Sequence, residues 1–578
     1  MTAFRVWAPV AQSVTLNLDG ERYQMTAAAR GWWSLNLPNC DPVASYAFIL
    51  DDTEPLPDPR SHSQPEGVRG HSRLVFHEQF AWTDSTWQPP AFSSAIVYEM
   101  HVGTFTPLGT FDSAIERLDH LVDLGVTHLE LMPIAEFPGT RGWGYDGVDL
   151  YAPHHAYGGP DGLKRLVNAC HARGLAVILD VVYNHLGPDG NYLGRFGPYF
   201  TNHYSTPWGQ AVNIDGAECD EVRRFFIDNA LMWLRDYHFD GLRLDAVHEI
   251  IDTSAVHFLE QLASEVDSLA QQIGRPLTLI AETDRNDPRL LWSRDNGGYG
   301  LTAQWNDDFH HALHAVLTGE RDGYYADFGS LEHLARALQH AYVFEGQYSS
   351  YRRRFQGRPT HGLALHRFLG FLQNHDQIGN RARGDRGTHL MSTGRLKIGA
   401  ALVLMSALVP MLFQGEEWGA SSVFQYFTDH EDPELALAVT AGRRAEFAAF
   451  GWKSLDVPDP QVVETFEQSK LNWEERLQQP HADLLSWHRQ LIRIRNESFG
   501  GNDGRLDQTQ VTFDERAQWL VVERGAAAVA CNLSSESQRV PLPSPRNHEL
   551  LLASHRDIVV DEGAVLLPKD AVIVVHLG

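Results

Sequence analysis

Acidic residues follow four of the apolar runs in this sequence, at the point where each run ends. They are Asp180, Asp245, Glu282 and Asp376. A single acidic residue after a strand is commonly a helix cap or part of a loop ion pair. Four that meet at one rim of a sheet repel one another and perturb each other's pKa values, so such a gathering is unfavourable unless chemistry requires it. We therefore expect an active site built from carboxylates.

The neighbours of these residues predict different protonation states. Arg243 and Asp245 are two positions apart on one strand, so their side chains share a face, and the guanidinium keeps the carboxylate ionised as a nucleophile requires. Glu282 follows an apolar run without an adjacent basic residue, which predicts a raised pKa and a general acid. Asp376, beside His375, is expected to bind sugar hydroxyls and to stabilise an oxocarbenium-like transition state. Two carboxylates about 5 Å apart would give the retaining, double-displacement route.

Two further features carry alternatives that the residues alone leave open. The segment 143–146 (WGYD) is either a stacking platform, with Tyr145 under the reacting ring, or an aromatic loop packed on its neighbours. His248, one turn after Asp245, is interpreted as a substrate or structural hydrogen-bonding group rather than a base.

Two groups of residues offer potential metal ligands, but neither forms a strong metal-binding pattern. The first group contains His154, His155, Cys170 and His171. These residues lack a recognised metal-ligand spacing. Asn184 and Asp189 offer the oxygen atoms that calcium prefers, without a complete loop pattern. The residues alone therefore leave a metal site as a weak alternative.

An alternation of strand and helix patterns carries the four acidic residues. About eight short apolar runs alternate with helical patterns from Ala95 onward, and 175–179 is a continuous apolar run typical of a parallel strand buried on both faces. The pattern predicts an α/β protein with a (β/α)8 TIM barrel over 91–499, whose active site lies at the carboxyl ends of the strands. Helices are predicted at 113–124, 160–173, 221–237, 255–269 and 482–495. In the first of these, Ser113 and Glu116 have the spacing of a capping box.

All-β patterns flank the predicted barrel. Short strands separated by turn signals over 1–90 predict an N-terminal β-sandwich that resembles a carbohydrate-binding module. After the Gly/Asn-rich break at 500–504, β patterns return and predict a C-terminal all-β domain over 500–578.

Composition narrows the class of partner. The formal net charge of −27 counts against nucleic acid, which requires a basic surface. The sequence contains no apolar run of about 18 residues, so no membrane partner is expected. The four cysteines contain no C-x-x-C pair, which favours a cytoplasmic protein without disulfides.

Four segments resemble the conserved regions of the α-amylase family, glycoside hydrolase family 13. They are DVVYNH (180–185), GLRLDAVH (241–248), IAET (280–283) and QNHDQ (373–377). In addition, residues 4–18 look like the N-terminal β-domain of branching and trehalose-releasing members. The resemblance implies a (β/α)8 barrel, an α-glucan oligosaccharide as substrate and no cofactor. Calcium-binding members of the family share Asn184, but the resemblance to branching and trehalose-releasing members implies that no metal is required.

The resemblance also implies a role for individual residues. Asp245 would be the nucleophile, Glu282 the acid/base and Asp376 the transition-state stabiliser. The residues implied to contact substrate are Tyr145, His185, Arg243, His248, Asp308, Phe309, His310, His311, His375, Gln377 and Trp418.

Within the family, the sequence is most similar to trehalose-releasing members. The supporting segments are 98–111, 184–200, 279–289, 304–314 and 424–430. Such enzymes hydrolyse the α-1,4 bond next to the terminal trehalose of malto-oligosyltrehalose. Two alternatives remain: an α-glucan branching enzyme, which would transfer the glucan to a sugar acceptor, and an inactive glycan-binding protein, which would require loss of a catalytic carboxylate. A monomer or weak homo-oligomer is expected.

Overall fold

Eight parallel strands close into a barrel in the computed structural model, which describes residues 1–578 except 39, 42, 449–456, 500–508, 544–547 and 562. The strands are β1 (Val97–Met100), β2 (His128–Leu131), β3 (Ala176–Val181), β4 (Gly241–Leu244), β5 (Thr278–Ala281), β6 (Ala303–Trp305), β7 (Phe368–Phe371) and β8 (Val409–Phe413). They follow chain order around the barrel, and β8 pairs with β1. Every residue in them except Thr278 is buried, as expected of strands covered on both faces. The predicted (β/α)8 fold is confirmed.

Apolar side chains fill the interior of the barrel. Val97, Ile178, Ile280, Leu369 and Met411 come from five of the strands and belong to one buried cluster. A second, larger cluster lies between the strands and the surrounding helices. The barrel is therefore a packed core, and an active site is expected at the carboxyl ends of its strands.

Helices cover the outside of the barrel and form its connections. Their bounds are Val102–Phe105, Phe111–Ile115, Leu118–Leu124, Gly159–His171, Leu193–Phe196, Cys219–Asp236, Phe258–Ile273, Asp307–Thr318, Leu331–His340, His375–Gly379, Gly387–Leu390, Thr393–Met405, Pro433–Ala448, Val463–Gln468 and His481–Phe499. The predicted helices at 160–173, 221–237, 255–269 and 482–495 overlap four of these.

The prediction of one helix over 113–124 was wrong. The segment forms two helices, and the first begins at Phe111. Its capping box joins Thr110 to Ser113 rather than Ser113 to Glu116, because the Thr110 side chain accepts from the Ser113 N–H at the true start. Gly125 ends the second helix with a φ of 98°, which glycine adopts at little cost.

Two antiparallel sheets form the N-terminal part of the chain. One contains Thr2–Trp7, Trp32–Leu37 and Thr26–Ala27, and the other contains Glu21–Gln24, Val14–Leu18, Ser45–Leu50, Pro55–Leu56 and Ser72–Arg73. The ring of Phe4 from the first sheet meets that of Tyr46 from the second at 5.3 Å. This is the packing expected of a β-sandwich.

Two further antiparallel sheets form the C-terminal part. One contains Thr509–Asp514, Trp519–Arg524, Ala527–Asn532, Ala571–Leu577 and His548–Ala553, and the other contains Gln538–Pro541, Ala564–Leu567 and Val560–Asp561. The predicted Gly/Asn-rich break at 500–504 lies outside the described residues.

Short strand pairs project from the barrel connections. They are Ala135–Glu136 with Asp149–Pro153, Phe200–Thr206 with Gly209–Val212, and Gln347–Ser349 with Arg354–Gln356. A helix long and apolar enough to cross a membrane is not found in the described part of the chain.

Candidate active site

A cleft of about 450 Å³ lies at the carboxyl ends of the barrel strands. Three of the four predicted carboxylates, Asp245, Glu282 and Asp376, line it together. Its other lining residues are Trp143, Tyr145, Asp146, His185, Trp208, Ala246, His248, His375, Asn380, Tyr426, Val439 and Arg443. Because each parallel strand ends at the same rim, residues far apart in sequence meet in this cleft.

Asp245, directly after β4, is held as an anion. Nη1 of Arg243 donates to its Oδ1 at 2.8 Å, and Nδ2 of Asn184 donates to its Oδ2 at 2.9 Å. Burial alone would raise the pKa of Asp245. The charges of Arg243 and His185 and these hydrogen bonds outweigh burial, so the pKa lies below its usual value. An ionised oxygen in this position is suited to nucleophilic attack.

Glu282, directly after β5, has a raised pKa, in contrast to Asp245. Its Oε2 accepts a hydrogen bond of 2.7 Å from the Ala246 N–H, and Nη2 of Arg243 lies 3.7 Å away. Burial, reinforced by the nearby carboxylate of Asp245, outweighs Arg243 and raises the pKa of Glu282 well above its usual value. This carboxyl is therefore suited to carry a proton at neutral pH.

Asp376 lies in the first turn of the short helix after β7. The Asn374 side chain caps that helix by accepting from the Asp376 N–H at 2.9 Å. Nδ2 of Asn380 donates to Oδ1 of Asp376 at 2.7 Å, which fixes the carboxylate at the mouth of the cleft. The side chain is exposed, so it is accessible to a substrate.

Arg243 connects the charges beneath the cleft. Its Nη1 donates at 2.7 Å to Asp180, near the carboxyl end of β3, as well as to Asp245. Its guanidinium also lies over the ring of Trp305, 4.2 Å from the centroid. Burial and the charge of Asp245 raise the pKa of Asp180 to about 6 despite Arg243. Asp180 and Arg243 lie beneath the lining residues and hold the charges above them in place.

Tyr145 and His375 form the floor of the cleft. The Tyr145 hydroxyl donates to Asp180 at 2.6 Å and shares a hydrogen bond of 2.8 Å with Nε2 of His375. The two rings stack with their centroids 5.1 Å apart. His375 also bonds through Nδ1 to the buried Glu99 of β1, and this partner raises the pKa of His375 against the effect of burial.

The two interpretations of segment 143–146 apply to different residues. Trp143 is buried, donates to the carbonyl of Gln425 at 2.9 Å and stacks on Phe424, so most of its ring packs on protein. Tyr145 is half-buried and faces the cleft.

His185 and His248 both line the cleft. His185 stacks on the exposed Trp208, with ring centroids 4.4 Å apart, and burial lowers its pKa. His248 is half-buried, and burial likewise lowers its pKa. Both imidazoles can therefore act as neutral hydrogen-bonding groups.

Four of the expected substrate contacts are not brought to the cleft. Phe309 and Trp418 are fully buried, and Trp418 donates to Glu475 at 3.2 Å. His310 bonds to the Tyr325 hydroxyl at 2.9 Å within the protein. Asp308 accepts from the N–H groups of residues 343 and 344. For these four residues the expectation of direct contact is corrected, because their side chains stabilise the fold around the site.

His311 and Gln377 also lie outside the cleft lining. His311 is buried, with its ring 4.8 Å from that of Tyr324 and 5.2 Å from that of Phe328. Gln377 is half-buried and lines a small separate cavity with His310. The structure does not place either side chain against a substrate.

Residues of the two weak metal-binding patterns bond to other groups of the protein. Asp189 pairs with Arg69, and Nδ2 of Asn184 donates to Asp245, so the two do not share a cation geometry. His171 bridges Asp84 and Asp240, at 2.8 and 3.0 Å. Cys170 is buried.

His154 and His155 lie apart from His171 and share a different partner. Both direct Nδ1 to Oε1 of the buried Glu136, at 3.1 and 2.7 Å. In the described part of the chain this is the one set of three side chains whose atoms lie close enough to hold a metal ion. The hydrogen bonds among them account for the cluster.

Several residues of the site escaped the sequence analysis. Glu99 is a single charged residue in an apolar strand, a signal that could have been used. Trp208 and Tyr426 come from loops, and their approach depends on how distant segments pack. Asp307, next to the predicted Asp308, interacts electrostatically with Glu282 and Asp376.

Comparisons with known proteins agree with this architecture. The family model described as "Alpha amylase, catalytic domain" matches residues 74–204, and the model described as "Domain of unknown function (DUF3459)" matches 504–574. A crystal structure from Salmonella typhimurium, described as a candidate α-amylase, superposes with a TM-score of 0.92 at 39% identity and covers 100% of this chain and 97% of that one. The fold and the carboxylate cleft thus define a glycoside hydrolase of the α-amylase type.

Relatives that align with most of this chain identify a narrower family. The malto-oligosyltrehalose trehalohydrolase of Mycobacterium tuberculosis is 52% identical over 98% of both chains. That of Arthrobacter ramosus is 52% identical over 86% of this chain and 87% of its own. A branching enzyme of Pseudoalteromonas atlantica is 31% identical over only 54% of this chain and 50% of its own. The chain belongs to the malto-oligosyltrehalose trehalohydrolase family.

Proposed function

We propose that the protein is a retaining glycoside hydrolase that cleaves the α-1,4 bond next to the terminal trehalose of malto-oligosyltrehalose and releases trehalose. The observation that carries the chemistry is the pair Asp245 and Glu282, one carboxyl with a lowered and one with a raised pKa in the same cleft. The names of the full-length relatives support the choice of substrate.

In the first step, a carboxylate oxygen of Asp245 attacks the anomeric carbon on the non-trehalose side of the bond. Glu282 donates its proton to the glycosidic oxygen as that bond breaks, so trehalose leaves with a neutral hydroxyl. The malto-oligosyl group is now an ester of Asp245. The charge of Arg243, 2.8 Å from Asp245, keeps the attacking oxygen ionised beforehand.

In the second step, the ionised Glu282 accepts a proton from water while the water oxygen attacks the same anomeric carbon. The ester bond breaks, Asp245 regains its charge, and a malto-oligosaccharide with retained configuration leaves. Asp376 faces the cleft where it can stabilise the positive charge on the sugar in both transition states.

The remaining contacts serve the sugar whose bond is broken. Tyr145 offers a ring for stacking, and its hydroxyl is fixed by Asp180 and His375. His185 lines the same cleft, where it can bind a sugar hydroxyl. His375 also lines the cleft, but its two ring nitrogens already bond to Tyr145 and Glu99, so its main role is to hold Tyr145 in place. These roles follow from position and chemistry together with the family resemblance.

The cellular location and the oligomeric state of the protein are further proposals. The four cysteines are free, which supports the cytoplasmic location expected from the sequence. A monomer or weak homo-oligomer remains our expectation.

Product analysis tests the proposed function. The purified protein is incubated with malto-oligosyltrehalose, maltopentaose, amylose and glycogen in separate reactions, with D245N as the inactive control. We expect free trehalose from the first substrate, little product from the others and no product from D245N. New α-1,6 branches in amylose would instead make the protein a branching enzyme, and binding without any product would make it a glycan-binding protein.

A further inference from the structure

Asp307 occupies the rim position between the proposed acid/base and the proposed transition-state stabiliser. It begins the helix Asp307–Thr318 directly after β6, and Asn306 caps that helix. Strand β6 lies between β5 and β7, which carry Glu282 and Asp376 at their carboxyl ends. A fourth carboxyl is therefore placed beside two groups of the reaction centre.

The neighbouring Asp308 is directed into the protein. Its Oδ2 accepts from the N–H groups of Val343 and Phe344 at 2.8 and 2.9 Å, and from Nδ2 of Asn286 at 2.8 Å. Asp307 is only half-buried. Among the described residues, its carboxyl makes neither a hydrogen bond nor an ion pair. A carboxyl without a protein partner in such a place is available to a ligand.

Charged groups surround Asp307 from several elements. Burial is the largest effect that raises the pKa of Asp307, and the negative charges of Asp284, Asp376 and Asp308 raise it further. The positive charge of Arg352 opposes them, and the resulting pKa is about 8. A neutral carboxyl of this kind can both donate to and accept from a sugar hydroxyl.

The groups near Asp307 differ from those near Asp245. Asp245 is surrounded by Arg243, Asn184 and His185, whereas the groups around Asp307 include Asp284, Asp376 and Arg352. Glu282 experiences the charge of both Asp245 and Asp307. The strand order agrees, because Asp245 follows β4, Glu282 follows β5 and Asp307 follows β6, which puts Asp307 on the far side of Glu282 from the nucleophile. Because the acid/base donates its proton to the leaving oxygen, that side accommodates the leaving sugar.

We propose that Asp307 is a specificity-determining residue whose carboxyl hydrogen-bonds a hydroxyl of the leaving sugar. This inference rests on the proposed function, in which the leaving sugar is trehalose. A bound sugar displaces water from this carboxyl, which must then find its hydrogen-bond partner on the substrate. A leaving group with a hydroxyl in the right position is therefore favoured over one without it.

The test compares two substrates for each variant. kcat/KM is measured on malto-oligosyltrehalose and on maltopentaose for the unmodified protein, D307A, D307N and E332A. Glu332 is a matched control because it is an exposed acid in the first turn of the helix Leu331–His340. D307A should lower the ratio of the two values by about ten- to a hundredfold, the range for losing one well-placed hydrogen bond to a substrate. D307N, which can donate and accept, should restore most of the ratio, and E332A should leave it unchanged.

The outcomes separate the two proposals. An equal loss on both substrates, or an unchanged ratio in D307A, would overturn the role of Asp307 while the trehalose-releasing activity stands. Absence of trehalose release by the unmodified protein would overturn the proposed function and this inference with it. Thermal unfolding of each variant checks folding, and D307S replaces D307A if the latter does not fold.

Discussion

The backbone N–H of Ala246 donates a hydrogen bond of 2.7 Å to Oε2 of Glu282. The residue directly after the proposed nucleophile thus holds the proposed acid, and the ends of β4 and β5 are locked together. Ala246 has a φ of 37°, in the left-handed region that residues with a side chain rarely adopt. A strained backbone at the point where two carboxylates meet is typical of a site whose geometry is fixed before substrate binds.

The two carboxyls predict a bell-shaped pH profile. Glu282 must be protonated, so activity should fall as the pH rises through its raised pKa. Asp245 must be ionised, so activity should fall as the pH drops through its lowered pKa. In E282Q we expect kcat to fall by about 10²–10⁴-fold and the alkaline limb to disappear. The measurement is kcat against pH for both proteins.

An alkaline limb that survives in E282Q would assign that limb to a different group. E332Q, at an exposed position of the helix Leu331–His340, serves as the control and should keep the profile of the unmodified protein.

Arg243 is expected to stabilise the fold as well as the site. R243A removes the cation between Asp180 and Asp245, so two buried carboxylates lose their partner. The free energy of unfolding should fall by about 3–5 kcal/mol at neutral pH, as when one member of a buried ion pair is deleted. R235A, at an exposed position, is the control.

The sign of the pH dependence follows from the same pKa values. The lowered pKa of Asp245 contributes stability above its unfolded value, and this contribution is lost as the pH falls through the folded value. In R243A that contribution is replaced by a cost of burying charge. The difference between R243A and the unmodified protein should therefore shrink from pH 7 towards pH 4 in urea unfolding experiments. A difference that grows towards low pH would contradict this account.

Gly379 is expected to tolerate no side chain. It ends the helix that begins at His375, and a Cβ there would lie 1.9 Å from Cζ2 of Trp143. G379A should cost about 1–3 kcal/mol in thermal or urea unfolding and should reduce kcat, because Trp143 lines the cleft. G442A is the matched control, since a Cβ at that helical glycine meets nothing within 4 Å. Equal stability of the two variants would show that Trp143 moves freely.

Much of the barrel could be predicted because its parallel strands are buried on both faces. The apolar run 175–179, for example, overlaps β3, and the polar residues that follow it reach the rim. The C-terminal ends of β4, β5 and β7 therefore identified Asp245, Glu282 and Asp376 as neighbours before any coordinates were known. Their catalytic roles, and the domain boundaries at residues 90 and 499, stay predictions.

Side-chain direction beyond the strand ends could not be predicted. Asp307 and Asp308 have the same chemistry and adjacent positions, but Asp308 is directed inward by the backbone amides of Val343 and Phe344 and the side chain of Asn286. Trp418 looked like a sugar-binding ring, but a buried carboxylate at Glu475 accepts its N–H. Such contacts join segments far apart in sequence, and local patterns do not contain them.

The most direct test of the central claim follows the reaction by proton NMR from its first minutes. Malto-oligosyltrehalose is the substrate, and the anomeric signals of both products are recorded before mutarotation. We predict the trehalose signal together with the α-anomer of the new malto-oligosaccharide end, because two displacements at one carbon retain its configuration. The β-anomer appearing first, or reducing sugars without trehalose, would contradict the account.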